Sequence, residues 1–162
     1  MDWLVMFLTV ISMETNGDPI NMIGDNGRAL GIIQIHMVVV EEYNSEHGTF
    51  FSHSQVRDPN LSIAIARWYL DKWGKNYQRI HGKEPTPDIL YRIWNGGPRG
   101  WEKRATEKKG EEALQKYNTF QLLDRKKQLE LYNKWVREFK NARIPKTKTQ
   151  PMKIRTISVA GL

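Results

Sequence analysis

Cysteine is absent from the 162-residue chain, and histidine occurs only four times. The missing thiols exclude a disulfide framework, a cysteine nucleophile, an iron–sulfur cluster and every zinc site built on cysteine. His47 and His53 are six residues apart, a spacing that fits no common zinc motif. We therefore expect no metal and no cofactor, and any chemistry must come from carboxylates, hydroxyls, amides and imidazoles.

Long hydrophobic runs are also missing. The apolar stretch after Asp2 is too short for a membrane span, which takes about 20 residues. It does not have the form of a signal peptide, because Asp2 stands where a basic residue would be expected. Apolar side chains recur at helical spacing and end on a carboxylate, at Trp3, Phe7, Val10 and Glu14. This pattern predicts a buried helix.

Acidic residues are missing from one end of the chain. The formal net charge is +7, from 25 Lys and Arg against 18 Asp and Glu, but residues 140–162 hold six of the bases and no acid. Residues 1–139 are nearly neutral, and residues 1–58 carry eight carboxylates against two arginines. A nucleic-acid-binding surface concentrates Lys and Arg on one face, so this distribution disfavours nucleic acid as a partner. We expect one monomeric folded domain at residues 1–143 and a basic, flexible tail at residues 144–162.

Helical patterns dominate the folded part. Turn residues at 20–31, above all Asn26-Gly27, predict a short β-hairpin. With 40% apolar residues and 17 aromatic rings, the chain has enough apolar surface for a core. The predicted class is mainly α with a small hairpin. The remaining patterns predict helices at residues 32–43, 59–77, 88–94 and 122–139, and a charged helix or loop at 103–117.

Glu14 is the first candidate for chemistry. A carboxyl at the end of an apolar stripe should be partly desolvated, which disfavours its ionised form and raises its pKa. A raised pKa suits a general acid that works near neutral pH. The stripe alone leaves a second interpretation open, in which Glu14 is a helix-end carboxylate that points into solvent.

Several short motifs follow one another along the chain: Glu14-Thr15, Gly31-Ile32-Ile33-Gln34-Ile35, Asp58-Pro59 and Trp94-Asn95-Gly96-Gly97. In order and approximate spacing they resemble the soluble lytic transglycosylase family, related in fold to goose-type lysozymes, whose domains carry Glu-Ser, then Gly-Leu-Met-Gln, then Ala-Tyr-Asn. The resemblance covers about residues 5–100 and does not reach the tail. It implies a mainly α, lysozyme-like fold, α+β with a small β-hairpin after the catalytic helix.

The resemblance implies a role for each matched residue. Glu14 would be the catalytic acid, and Thr15 would replace the family serine, whose hydroxyl positions substrate or the acid. Gly31 would let the backbone approach the cleft closely. Gln34 would line the site with an amide that donates and accepts toward the sugar; a helix amide satisfied by backbone is the alternative. Asn95 would hold substrate or the acid.

Trp94 departs from the family pattern, which has tyrosine there. An indole donates one N–H but cannot accept, so a phenol-type hydrogen bond to Glu14 would be altered or lost. Tyr91, one helical turn earlier, would supply a hydroxyl instead or serve only core packing. Trp94, Tyr91 and Trp101 are also the candidates for stacking on a sugar face.

The resemblance implies cleavage of peptidoglycan between N-acetylmuramic acid and N-acetylglucosamine. Glu14 would act alone as acid and then base, without a metal, and leave a 1,6-anhydro ring. A hydrolytic lysozyme (muramidase) usually uses a second carboxylate. Asp25 in the predicted hairpin is the candidate, but aspartate is also favoured there as a turn residue that bonds its own backbone. A non-catalytic domain that binds glycan or nucleic acid is the third alternative.

A wall-degrading enzyme must reach the wall, and the chain shows no export signal. This combination suits a phage-encoded lysis protein or a virion-borne enzyme that acts on the bacterial cell wall or in the periplasm; a fragment of a longer protein would look the same. The expected partners are the glycan strands of peptidoglycan. The basic tail would also bind anionic wall polymer, an attraction that salt should screen.

Overall fold

Six α-helices and three very short strands form residues 1–142, the part of the chain that this computed structural model describes. The helices are α1 (Trp3–Glu14), α2 (Met37–His47), α3 (Pro59–His81), α4 (Pro87–Gly96), α5 (Glu107–Gln121) and α6 (Arg125–Asn141). The strands are β1 (Ile23–Gly24), β2 (Ala29–Leu30) and β3 (Ile35–His36), which form an antiparallel sheet in that order. The mainly α class is confirmed. The predicted tail at residues 144–162 lies outside the described residues.

Helix α1 belongs to the core. Asp2 caps its start, because the carboxylate accepts a hydrogen bond of 3.0 Å from the backbone N–H of Leu4. The residues from Val5 to Ser12 are all buried, and the helix contacts α5 and α6. A helix that is apolar all round is a core helix, so the predicted buried helix is confirmed. Glu14 is its last residue.

The turn-rich segment after α1 forms the predicted hairpin. Strands β1 and β2 pair antiparallel, with Ile23 opposite Leu30. Three consecutive residues between them are left-handed, with φ of 49° at Asp25, 56° at Asn26 and 86° at Gly27. Asn and Gly adopt this conformation at low cost, which is why they form such a tight turn. Strand β3 pairs with β2 and was not predicted from the sequence.

The predicted helix at residues 32–43 is wrong in its first part. Gly31 and Gln34 are left-handed, with φ of 83° and 55°, so the chain turns here and α2 begins only at Met37. The isoleucines of this segment are fully buried, but Val38 is 65% exposed, so burial does not continue into α2. A short apolar run fits a buried helix or a buried turn and strand equally well, because periodicity does not separate them.

Asp58 starts α3, the longest helix. Its carboxylate accepts a hydrogen bond of 2.8 Å from the backbone N–H of Asn60, and Pro59 occupies the first turn. The helix continues four residues past its predicted end at Tyr77, until the left-handed Gly82 ends it. Helix α4 extends two residues past its predicted end.

The charged segment at residues 103–117 forms most of α5, so the helix is the correct one of the two alternatives. Its face of Gly110, Ala113 and Tyr117 is buried, and the helix contacts α1 and α4. Helix α6 confirms the last predicted helix, although Leu122 precedes it and is 88% exposed. No helix in residues 1–142 combines the length and the apolar composition that crossing a bilayer requires.

Candidate active site

An open cleft of about 490 Å³ lies where α1 ends. The sheet, α4 and α5 supply its other walls, and its lining residues are Glu14, Asp25, Ala29, Gln34, His36, Trp94, Asn95 and Lys109. Its volume lies in the range of small-molecule and substrate sites. Five of the predicted site residues therefore meet in one cavity. Two other cavities, about 370 Å³ beside Trp3 and about 410 Å³ beside Arg57, contain none of them.

Glu14 is half-buried at the edge of this cleft. Burial raises the pKa of its carboxyl, because the ionised form loses contact with water. Two weaker influences lower the pKa: a hydrogen bond from Tyr91 and the positive charge of Lys109. The net direction is upward, as the apolar stripe of α1 predicts. Glu14 faces the cleft and is not a fully solvated helix-end residue.

The Tyr91 hydroxyl donates a hydrogen bond of 2.8 Å to Oε1 of Glu14. Tyr91 lies on α4 and is only 2% exposed, so it stands behind Glu14 and not in the cleft. Burial and the charge of Glu14 raise the pKa of the Tyr91 hydroxyl, which keeps it a donor. The structure thus places the Tyr91 hydroxyl against Glu14, where the sequence analysis suggested that it could supply a hydroxyl. It does not place Tyr91 where a sugar ring would stack.

Trp94 and Asn95 follow on the same helix and line the cleft. The indole N–H of Trp94 donates a hydrogen bond of 3.2 Å to the carbonyl oxygen of Ile33. The Trp94 ring also meets Tyr69 edge to face, with the ring centres 5.9 Å apart. These contacts hold the indole in one orientation. Within residues 1–142 the exposed Asn95 amide makes no hydrogen bond, which leaves it available to a ligand.

Gln34 lines the cleft, but its amide N–H groups are committed to the protein. The two N–H groups of Nε2 are shared among three carbonyl oxygens, those of Asn21 at 2.9 Å, Met22 at 3.2 Å and Gly31 at 2.9 Å. Its Oε1 lies over Gly24, where an added Cβ would come within 2.0 Å of it. The alternative of a backbone-satisfied amide is therefore observed, in a left-handed turn and not in a helix. Gln34 braces the sheet against the segment that follows α1.

Thr15 and Gly31 lie behind the cleft, which corrects the expected contacts with it. Thr15 is 1% exposed, and its hydroxyl donates a hydrogen bond of 2.8 Å to the carbonyl oxygen of Ile32. A Cβ added at Gly31 would come within 2.3 Å of the carbonyl oxygen of Val56. Thr15 therefore joins the end of α1 to the turn, and Gly31 permits a close approach inside the protein rather than at the cleft.

Asp25 lies in the left-handed turn and also lines the cleft, and its carboxylate contacts side chains instead of its own backbone. Its carboxylate bonds Arg28 at 2.7 Å and faces Nε2 of His36 at 3.7 Å. Its side chain is 42% exposed. A protonated His36 and Arg28 would both offset the negative charge of Asp25. The backbone carbonyl of Asp25 accepts from Nε and from the backbone N–H of Arg28, each at 3.2 Å, so Arg28 closes the turn.

Trp101 is not part of the cleft, which corrects its prediction as a sugar-stacking residue. It is buried and meets Tyr77 edge to face at 5.3 Å between ring centres. Trp94 and Trp101 flank the same glycine-rich turn, so the sequence alone does not show which of them lines a binding site. Trp101 is a core residue because it packs against Tyr77 of α3.

Lys109 and His36 line the cleft and were not predicted from the sequence. Lys109 is the residue before Gly110, where an added Cβ would come within 2.9 Å of the side chain of Arg92. This glycine leaves room for the Arg92 side chain of α4 against α5. The small residues Gly110 and Ala113 at helical spacing indicate a face of α5 that packs closely against another helix. This spacing does not indicate which lysine of α5 lies at a cleft.

Within residues 1–142, no three His, Asp or Glu side chains converge in a group that could hold a metal ion. No protein-family model matches this chain, and neither a curated protein nor a solved structure matches it. The functional conclusion rests on the cleft and on the resemblance of the short motifs.

Proposed function

We propose that this protein cleaves the glycan strands of peptidoglycan at the bond between N-acetylmuramic acid and N-acetylglucosamine, with Glu14 as the catalytic acid and base. The observation that carries the proposal is the state of Glu14. Its carboxyl has a pKa raised by burial, lies at the edge of an open cleft and accepts a hydrogen bond from Tyr91. A general acid for glycoside cleavage needs this combination of a proton and access to substrate.

In the first step, Glu14 donates its proton to the glycosidic oxygen. The Tyr91 hydroxyl occupies Oε1, which leaves Oε2 as the oxygen that carries the proton. The bond between the glycosidic oxygen and the anomeric carbon of the muramoyl residue breaks, and the N-acetylglucosamine side leaves as an alcohol. The anomeric carbon gains positive character as the bond breaks.

In the second step, the Glu14 carboxylate takes the proton of the muramoyl 6-hydroxyl. The 6-oxygen attacks the anomeric carbon and closes the 1,6-anhydro ring, so Glu14 ends the cycle protonated, as it began. Tyr91 and Lys109 both favour the carboxylate and therefore stabilise the intermediate state of the enzyme. Burial favours the protonated form of Glu14, whereas Tyr91 and Lys109 favour its carboxylate form. Because these influences oppose one another, one carboxyl can serve as acid in the first step and as base in the second.

A lysozyme-like fold is part of the proposal. It is supported by the order of elements, in which the helix that ends on Glu14 is followed directly by a small antiparallel sheet and then by further helices. Residues of the sheet and of α4 line the cleft together with Glu14. Trp94 offers an aromatic face to a sugar ring, and Asn95 offers an amide to its hydroxyl or N-acetyl groups.

The hydrolytic muramidase is the second candidate, because Asp25 lines the same cleft as Glu14. In that mechanism Asp25 would stabilise or attack the anomeric carbon. The contacts of Asp25 with Arg28 and His36 favour the one-carboxylate mechanism, since a carboxylate that is already bonded is a weaker nucleophile and base. We therefore place transglycosylation first and hydrolysis second.

Glu14→Gln tests the proposal, because glutamine keeps the shape and the acceptor of Glu14 but cannot transfer a proton. We expect the variant to lose activity on purified sacculi by at least about a hundredfold while it still binds them and keeps its helical spectrum. Glu41→Gln, which neutralises an exposed glutamate on α2, is the matched control and should retain activity. Unchanged lysis by Glu14→Gln would refute the assignment, and binding without any lysis by the wild type would indicate a glycan-binding module.

A further inference from the structure

Lys109 is a positive charge in the cleft, and its electrostatic effect on Glu14 uses none of its hydrogen-bond donors. It projects from α5 and lines the same cavity as Glu14. Several other lysines have carboxylate partners, such as Lys72 with Glu42 at 2.6 Å. Within residues 1–142, the Lys109 ammonium makes neither an ion pair nor a hydrogen bond.

The other charges in the cleft already have partners. The carboxylate of Asp25 bonds Arg28 and faces His36, and Glu14 accepts from Tyr91. Lys109 acts on Glu14 through its charge, without a direct hydrogen bond. An ammonium carries three donors, so Lys109 keeps its hydrogen-bonding capacity for a ligand in the cleft.

A glycan strand of alternating N-acetylated sugars has no charge on its rings. Its carboxylates are carried by the muramoyl residue alone, either on the lactyl ether of a strand without peptide or on the peptide attached to that ether. An unpaired ammonium therefore has a charged partner only on the muramoyl side of the substrate.

We propose that Lys109 is a subsite for a carboxylate carried by the muramoyl residue. This inference rests on the proposed function. The two kinds of glycosidic bond alternate along the strand, so a cation that recognises the muramoyl residue selects which of them lies at Glu14. Lys109 thus determines specificity, in addition to its effect on the charge of Glu14.

Ligand binding in a Glu14→Gln background tests the subsite, because turnover is then absent and the charge of Glu14 plays no part. The probes are peptidoglycan tetrasaccharides in three forms: with free lactyl carboxylates, with these converted to carboxamides, and with the natural peptides. Calorimetry would compare Glu14→Gln alone with the double variants that add Lys109→Met or Lys108→Met. Lys108 is the adjacent exposed lysine on α5 and does not line the cleft, so it is the matched control.

We expect Glu14→Gln to bind at least one carboxylate form about tenfold more tightly than the carboxamide form. Lys109→Met should abolish this preference and Lys108→Met should keep it. If the tighter binding of the lactyl form is lost in Lys109→Met, the carboxylate is the lactyl one. If the tighter binding of the peptide form is lost, the carboxylate belongs to the peptide. Equal binding of all three forms, or a preference that survives Lys109→Met, would overturn the subsite. Wall lysis by the wild type in either case would leave the proposed function standing, whereas absence of lysis would remove both.

Discussion

The hydroxyl of Tyr91 on α4 donates a hydrogen bond of 2.8 Å to Oε1 of Glu14 at the end of α1. It joins residues 77 positions apart in the chain. Removal of this donor destabilises the ionised carboxylate, so the pKa of Glu14, already raised by burial, should rise further.

Tyr91→Phe should therefore move the alkaline limb of the pH profile. The free enzyme needs a protonated Glu14 for the first step, so kcat/KM falls as pH rises through its pKa. Loss of a hydrogen bond to a charged carboxylate should raise the pKa of Glu14, and with it the alkaline limb of the profile, by about one pH unit. The pH dependence of wall lysis measures this. Tyr77→Phe, which alters another buried tyrosine away from the cleft, should leave the profile in place; a profile for Tyr91→Phe that does not shift, or shifts downward, would contradict the role of Tyr91.

Glu14→Gln should stabilise the protein at neutral pH. Because the pKa of Glu14 in the folded state lies above its ordinary value of 4.5, the unfolded state releases this proton at lower pH. Folding stability therefore declines as pH rises from about 4.5 to the folded-state pKa, and the penalty persists above it. Glutamine does not titrate, and its oxygen still accepts from Tyr91.

We expect the melting temperature of Glu14→Gln to exceed that of the wild type by a few degrees at pH 7. The difference should shrink as pH falls below 4.5, where Glu14 is protonated in both states. Thermal melts at several pH values measure this, with Glu41→Gln as the control. A constant difference at all pH values would show that titration of Glu14 is not its cause.

Asp25→Asn separates the two candidate mechanisms. The exposed pair with Arg28 contributes at most about 1 kcal/mol, so the variant should fold normally. For a transglycosylase we expect near-normal turnover and 1,6-anhydro products, which mass spectrometry of digested peptidoglycan detects. Collapsed turnover, together with reducing ends from the wild type, would establish the muramidase instead. Asp71→Asn, which removes a similarly exposed ion pair with Lys75 outside the cleft, controls for charge.

Gly31→Ala should destabilise the fold more than Gly27→Ala. Both glycines are left-handed, with φ of 83° and 86°, so each alanine bears the same conformational cost of about 1–2 kcal/mol. A Cβ at Gly31 also meets the carbonyl oxygen of Val56 at 2.3 Å, whereas one at Gly27 meets nothing within 4 Å. We expect Gly31→Ala to cost about 2–4 kcal/mol in urea unfolding, and equal losses would show that the contact with Val56 is relaxed easily.

The sequence did not predict strand β3, and it placed the start of α2 five residues too early. The isoleucines after Gly31 are fully buried, whereas Met37 and Val38 at the start of α2 are exposed, and a local apolar pattern does not distinguish a buried helix from a buried turn. The left-handed backbone at Gln34 depends on three carbonyls from the segment after α1 and the turn, which its side chain holds together. No local propensity contains that information, because the partners are up to 13 residues away.

The elements that could be predicted from the sequence are those with a local cause. The apolar run of α1, the cap at Asp58 and the Asn26-Gly27 turn act over a few residues, and the hydrophobic effect buries α1 whatever its partners are. The same stripe suggested a raised pKa for Glu14 but left a solvent-exposed carboxylate open, and burial in the folded protein distinguishes the two. Which side chains meet at that carboxyl depends on how the helices pack. Tyr91 on α4 bonds the carboxyl from 77 positions away in the chain, and Lys109 on α5 reaches the same cleft. Both contacts depend on the packing of helices, which spacing along the chain does not encode.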